Sequence, residues 1–156
     1  FDGLYSLRIL PISPYHYNRR YDGSLSVSYI PNYFELNGTR IRLLTEQFSK
    51  WGMFDEKTRG EIAVLYTRYI YSAIARSFDK RSEMTSDDRK KWLNSVFEDR
   101  LFAETVPYGK PESRSLKIMI SALQKKQVKK SLALGRFIYS VKNSLPMLFS
   151  KIKHKK

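Results

Sequence analysis

The run from Glu56 to Phe78 constrains the fold most. Its apolar residues Ile62, Leu65, Tyr66, Tyr69, Ile70, Ala73 and Ile74 recur at steps of three and four. That spacing gathers them on one side of an α-helix, whereas a strand, with a period of two, would scatter them over both faces. A helix with so wide an apolar side needs neighbours to cover it, and other segments of the chain must supply them.

Two further helices are predicted around it. After Pro31, Asn32 stands as a cap, and Tyr33, Leu36, Ile41, Leu44, Phe48 and Trp51 form a stripe expected to be buried, with Gly52 as the stop. Thr85 and Asp88 have the spacing of a capping box, and Trp92, Leu93, Val96 and Phe97 follow as a buried face. The stretch from Pro107 to Pro111 reads as a loop, and from Glu112 to Asn143 the pattern fits one long helix or two shorter ones. Before Pro31 the chain alternates instead. Tyr15-His16-Tyr17-Asn18-Arg19-Arg20 and Ser24-Leu25-Ser26-Val27-Ser28 flank the turn residues Asp22-Gly23, which predicts strand, turn, strand. The expected fold is mostly α with a short N-terminal β-hairpin. Two strands are marginal alone, so the pair is expected to add to a sheet outside this sequence.

Charge divides the chain unevenly. The last acidic residue is Glu112, and the 44 residues after it hold 12 of the 29 basic residues. The first 112 residues keep 17 basic against all 15 acidic residues, so they are nearly balanced. A basic end without acids seeks a polyanion, either an anionic lipid surface or nucleic acid. Leu132, Leu134, Phe137, Ile138, Val141, Leu145, Leu148, Phe149 and Ile152 interleave with Lys129, Lys130, Arg136, Lys142, Lys151 and Lys153. These six cations are the candidate membrane contacts of an interfacial helix. The other reading of residues 113–140 is a packing helix with an exposed basic side. Nucleic acid is the weaker partner, since no recognised nucleic-acid motif accompanies the charge.

Complete catalytic sites are not found. There is no cysteine, histidine occurs only as His16 and His154, and the seven glycines build no phosphate-cradling loop. No Asp-x-Asp pair is present for a divalent ion, and the acidic pairs Asp87-Asp88 and Glu98-Asp99 fall at helix ends. The chain begins at Phe1 and has no apolar run long enough to span a bilayer. These features lead to the expectation of a fragment of a longer protein.

The segment Tyr15-His16-Tyr17-Asn18-Arg19-Arg20-Tyr21-Asp22-Gly23-Ser24-Leu25-Ser26 resembles the one that closes the catalytic domain of family 2 glycosyltransferases. In that family a strand ending in aromatic-x-Tyr-Arg leads through a polar turn to Gly-Ser-aliphatic-Ser/Thr. Tyr15, Tyr17, Gly23, Ser24, Leu25 and Ser26 match it. Asn18 stands where arginine is common, with Arg19 and Arg20 after it. Tyr29-Ile30-Pro31-Asn32-Tyr33-Phe34-Glu35 is similar to capsule and exopolysaccharide members of bacteria. The close resemblance covers about residues 9–35.

The resemblance implies the C-terminal end of a GT-A type α/β domain over residues 1–30. A helical region over 31–112 and a basic amphipathic helical tail over 113–156 would come next. It implies transfer of a sugar from a nucleotide-diphosphate donor to a glycan or lipid-linked acceptor in cell-surface polysaccharide synthesis. It also implies a divalent cation, Mg or Mn, with ligands and a catalytic carboxylate expected upstream of Phe1. The 156-residue chain alone is then expected to be inactive. His16, Arg19, Arg20 and Ser24 are the candidate donor-diphosphate contacts, since fixed guanidinium and hydroxyl donors stabilise a leaving diphosphate. An exposed basic strand edge is the other reading of the same residues. Asp2 is a candidate base, by likeness to the family's Glu-Asp, or a plain turn aspartate. The expected location is cytoplasmic, peripheral at the inner face of the cell membrane. A non-enzymatic membrane-binding adaptor is the alternative.

Overall fold

A computed structural model describes residues 29–144. Six α-helices form there: α1 Tyr33–Lys50, α2 Glu56–Arg76, α3 Ser86–Glu98, α4 Arg100–Thr105, α5 Arg114–Gln124 and α6 Val128–Ser144. A 3-10 turn, Val106–Tyr108, separates α4 from α5. No strand occurs among the described residues. The expectation of an α fold led by a β-hairpin at the end of a GT-A type α/β domain is therefore corrected. The described chain is all-helical and closes its core with helices alone. The segment before Tyr29, expected as strand, turn, strand, lies outside the described residues.

Helix α2 is the axis. Ile62, Ala63, Tyr66, Thr67, Ile70, Tyr71, Ile74 and Ala75 are all buried, so more than one side of the helix is covered. α1, α4, α5, α6 and the 3-10 turn all pack on it. One hydrophobic core results, joining Ile41 of α1 to Leu93, Val96 and Phe97 of α3, Leu101 and Phe102 of α4, and Ile120 and Leu123 of α5. The apolar side read from the sequence is thus the centre of the molecule. No helix of the described residues is long and apolar enough to cross a membrane.

Local chemistry sets the helix ends. Asp55 accepts the Thr58 amide at 2.8 Å and caps α2. Thr85 and Asp88 form the reciprocal capping box of α3. α1 ends in a Schellman turn: Met53 N–H donates to Phe48 O at 2.8 Å and Gly52 N–H to Ser49 O at 3.1 Å. Gly52 takes φ +68°, which glycine adopts without a Cβ penalty. Asn32 does hold the cap position of α1, yet its side chain makes no capping bond.

The stripe expected on α1 is only partly buried. Leu36, Leu44 and Trp51 are exposed, while Asn37, Gly38, Ile41 and Thr45 face inward.

Candidate functional site

The C-terminal end of α2 gathers the features with chemical potential. α6 runs alongside α2, with Gly135 so close to Ile74 that a Cβ there would overlap it. The start of α1 reaches the same end, where the Arg76 guanidinium lies 4.4 Å from the centre of the Tyr33 ring. Arg81, just beyond α2, lies 5.1 Å from the centre of the Tyr29 ring and within electrostatic reach of Tyr139 on α6. Both ends of the described chain therefore meet beside Arg81.

A hollow of about 610 Å³ opens at this end, walled by Tyr29, Tyr33, Phe34 and Trp92 and edged by Arg76, Arg81 and Glu83. Its polar groups are held firmly. Arg81 Nε donates to Asp79 Oδ1 at 2.8 Å and Nη2 to Oδ2 at 3.0 Å, a two-pronged pair. The Arg81 hydrogen bonds hold the Asp79 carboxyl down at about 2. The Thr85 hydroxyl and amide, donating to Asp88, lower that carboxyl as well. Aromatic walls beside fixed cations and carboxylates suit a ligand with a flat apolar part and several polar groups.

A smaller hollow of about 390 Å³ lies between α2, α3 and α6, lined by Phe78, Arg89, Arg136, Tyr139 and Ser140. Arg89 is fixed there by the end of α2. Its Nε and Nη2 donate to Ser77 O at 3.0 and 2.6 Å, and its guanidinium lies 4.5 Å from the Phe78 ring centre. The two guanidinium groups line this hollow with no carboxylate among its described lining.

The residues expected from sequence are distributed as follows. Asp2, His16, Arg19, Arg20 and Ser24 lie outside the described residues, as do Lys151 and Lys153. Lys129, Lys130 and Arg136 are exposed along the outward side of α6. Lys142 is exposed as well, near the end of α6, although its spacing from Ser131, Gly135 and Ile138 puts it in the row that faces α2. α5 and α6 pack into the core, as in the packing-helix reading of residues 113–140. Sequence reasoning missed Arg76, Arg81 and Arg89 altogether. Arg89 did carry a signal: a cation close after a helix start opposes the helix dipole and points to a tertiary partner.

The residues described do not fit a divalent cation. No three His, Cys, Asp or Glu side chains among them converge on one point. Asp55, Asp79 and Asp88 are each committed to a cap or an arginine. No protein-family model, curated protein or solved structure matches the chain.

Proposed function

We propose that the chain is part of a nucleotide-sugar glycosyltransferase, with residues 29–144 forming a helical unit that comes after the donor-side segment. The observation that carries this reading is the match of Tyr15, Tyr17, Gly23, Ser24, Leu25 and Ser26 to the family's closing segment. The next stretch of chain supports it. The sequence passes from Ser26 through Tyr29, Ile30 and Pro31 straight into α1, and these three residues line the larger hollow beside Arg76 and Arg81. The donor-side segment thus leads directly into a fixed aromatic and cationic end of the helical unit.

In this reading an acceptor hydroxyl, its proton taken by a carboxylate, attacks the anomeric carbon of the donor sugar. The bond to the nucleoside diphosphate breaks, and negative charge grows on the leaving phosphate oxygens. His16, Arg19, Arg20 and Ser24 supply donors to that charge, with the arginines offering forks that match phosphate oxygens. The acceptor is a glycan or a lipid-linked glycan.

The test is calorimetric titration of the full chain with nucleoside diphosphates and their sugar conjugates. Sugar transfer is assayed in parallel in the longest reading frame that contains the chain. Losing one charge-assisted phosphate contact costs about 1.5–3 kcal/mol, so Arg19→Ala or Arg20→Ala should weaken binding or turnover roughly tenfold to over a hundredfold. The 156-residue chain by itself should transfer no sugar. Absence of donor binding and turnover in the longest frame, or unchanged behaviour of both arginine variants, would overturn the reading.

A further inference from the structure

The turn between α5 and α6 carries Lys125, Lys126, Lys129 and Lys130, all exposed. Helix energetics disfavours three of these four placements. Lys126 sits at φ +49°, in a Schellman turn closed by Gln127 N–H to Ala122 O at 2.9 Å and Lys126 N–H to Leu123 O at 2.8 Å. Glycine is the residue that takes this position without strain. Lys129 and Lys130 occupy the first turn of α6, which holds no acid, so their charges face the positive end of the helix dipole. No ion pair engages the four lysines among the described residues. An outlier kept against local preference calls for something outside the helix pair.

The outward side of α6 continues the patch. Lys129, Ala133, Arg136 and Ser140 succeed one another at steps of four and three, with Lys130 and Phe137 in the adjoining row. Phe137 is 66% exposed. The inward side is occupied, since Ser131 and Gly135 are buried. A single helix thus packs on α2 by its small residues and presents cations around one bare aromatic ring.

We propose that the α5–α6 turn and the outward side of α6 form a docking surface for an anionic phospholipid bilayer. Charge complementarity selects an anionic partner, because residues 113–144 contain no acid. Two features select a bilayer over a nucleic acid. Four of the five cations are lysines, point charges without the planar fork that reads individual phosphates, which suits a diffuse headgroup field. Phe137 among them provides apolar insertion into the headgroup boundary. The surface does not depend on the glycosyltransferase reading and stands or falls separately.

The experiment is co-sedimentation of the full chain with vesicles of phosphatidylcholine alone or with added phosphatidylglycerol, at low and high salt. Recovery with the anionic vesicles, weakened by salt, is expected. Lys→Gln at each of the four turn positions should lower the partition coefficient about fivefold, and Phe137→Ser about tenfold. Lys126→Gly separates binding from folding: it should raise Tm while weakening recovery. Neutralising Lys151, Lys153, Lys155 and Lys156 together should leave the fivefold steps at the turn intact.

Equal recovery with both lipids would overturn the proposal, as would binding lost only with the four tail lysines. Preference for a single-stranded RNA homopolymer over anionic vesicles, unaffected by Phe137→Ser, would assign the surface to nucleic acid instead.

Discussion

α1 and α6 both lean on α2, and they solve the contact alike on the inside and oppositely on the outside. Inside, each approaches through small or polar residues: Asn37, Gly38 and Thr45 around Ile41 on α1, Ser131 and Gly135 on α6. Outside, α1 leaves Leu36, Leu43 and Leu44 to solvent, whereas α6 leaves lysines, Arg136 and Phe137. On α6 the backbone comes so close to α2 at Gly135 that a side chain would overlap Ile74. On α1 the buried polar side chains bond within the helix. Hydrophobicity alone is therefore a poor guide to which side of either helix is buried. The outward side is then free to differ: α1 exposes Glu35 and Glu46 together with Arg40, Arg42 and Lys50, whereas α6 exposes cations and no acid.

The strongest break of this comparison is at Ile74, which is fully buried against Gly135. Ile74→Ala should cost about 2–5 kcal/mol in chemical denaturation, from lost transfer energy and the cavity left behind. Leu43→Ala, on the outward side of α1 at 60% exposure, should stay within about 0.5 kcal/mol. Similar losses at the two sites would mean that α1 buries its outward side.

The two helical glycines sharpen it further, because the same substitution should act with opposite sign. A Cβ at Gly135 would overlap the Ile74 side chain, so Gly135→Ala should cost about 1–3 kcal/mol. A Cβ at Gly38 would meet only Arg42 Nη1, at 3.9 Å. Gly38→Ala should therefore gain up to about 1 kcal/mol from helix propensity. Thermal melts of both variants read the signs directly.

Much of the fold was legible in the sequence, and the comparison shows where legibility stopped. The α2 stripe, the Thr85–Asp88 capping box and the Gly52 stop each rest on local chemistry, and local chemistry is what a sequence displays. The α1 stripe misled because buried polar groups there satisfy themselves within the helix. Asn37 Nδ2 donates to Tyr33 O at 2.7 Å and Thr45 Oγ1 to Ile41 O at 2.8 Å. Such residues look like surface in a sequence and behave as interior once their hydrogen bonds are made. α4 spans six residues, too few to show a period. Arg89 acts through a carbonyl reached only after folding, so its partner Ser77 was invisible beforehand. The donor-side residues His16, Arg19, Arg20 and Ser24 rest on resemblance and lie outside the described residues.

A smaller effect tests the core that both helices share. The Tyr66 side chain is fully buried, and its hydroxyl has no hydrogen-bond partner among the described residues. Burial pushes its ionisation well above the usual phenol range, and the Asp99 carboxylate adds to this against Arg42. Above pH about 10 the unfolded chain releases this proton while the folded chain keeps it, so stability falls as pH rises. Tyr66→Phe should raise stability at neutral pH by about 1 kcal/mol, through removal of an unsatisfied group, and should flatten the alkaline decline. Tyr71, also raised by burial, keeps part of the slope in that variant. A loss of stability at neutral pH in Tyr66→Phe would reveal a partner for the hydroxyl.

The smallest effect sits where the lead-in to α1 and the end of α6 come together. Arg81 pairs with Asp79 at 2.8 Å, stands over Tyr29 and is felt by Tyr139. The pair is open to water, with the Arg81 side chain 60% exposed, so screening leaves it little weight in stability. Its sign is definite. The Asp79 carboxyl is held down at about 2 by the Arg81 hydrogen bonds, against about 3.9 in an unfolded chain. The contribution is therefore present above pH about 4 and is lost as pH falls through about 2. Carbon-detected NMR titration of Asp79 should show the lowered midpoint in the native protein and a return toward the ordinary carboxylate range in Arg81→Ala. High salt should move the native midpoint upward, since exposed pairs are screened. If the midpoint stays near 2 in Arg81→Ala, another cation holds Asp79, and Arg76, at the end of α2 and over the Tyr33 ring, is the one within electrostatic reach. The lead-in to α1 would then be fastened through Tyr33 rather than Tyr29, and Tyr33→Ala rather than Arg81→Ala would loosen it.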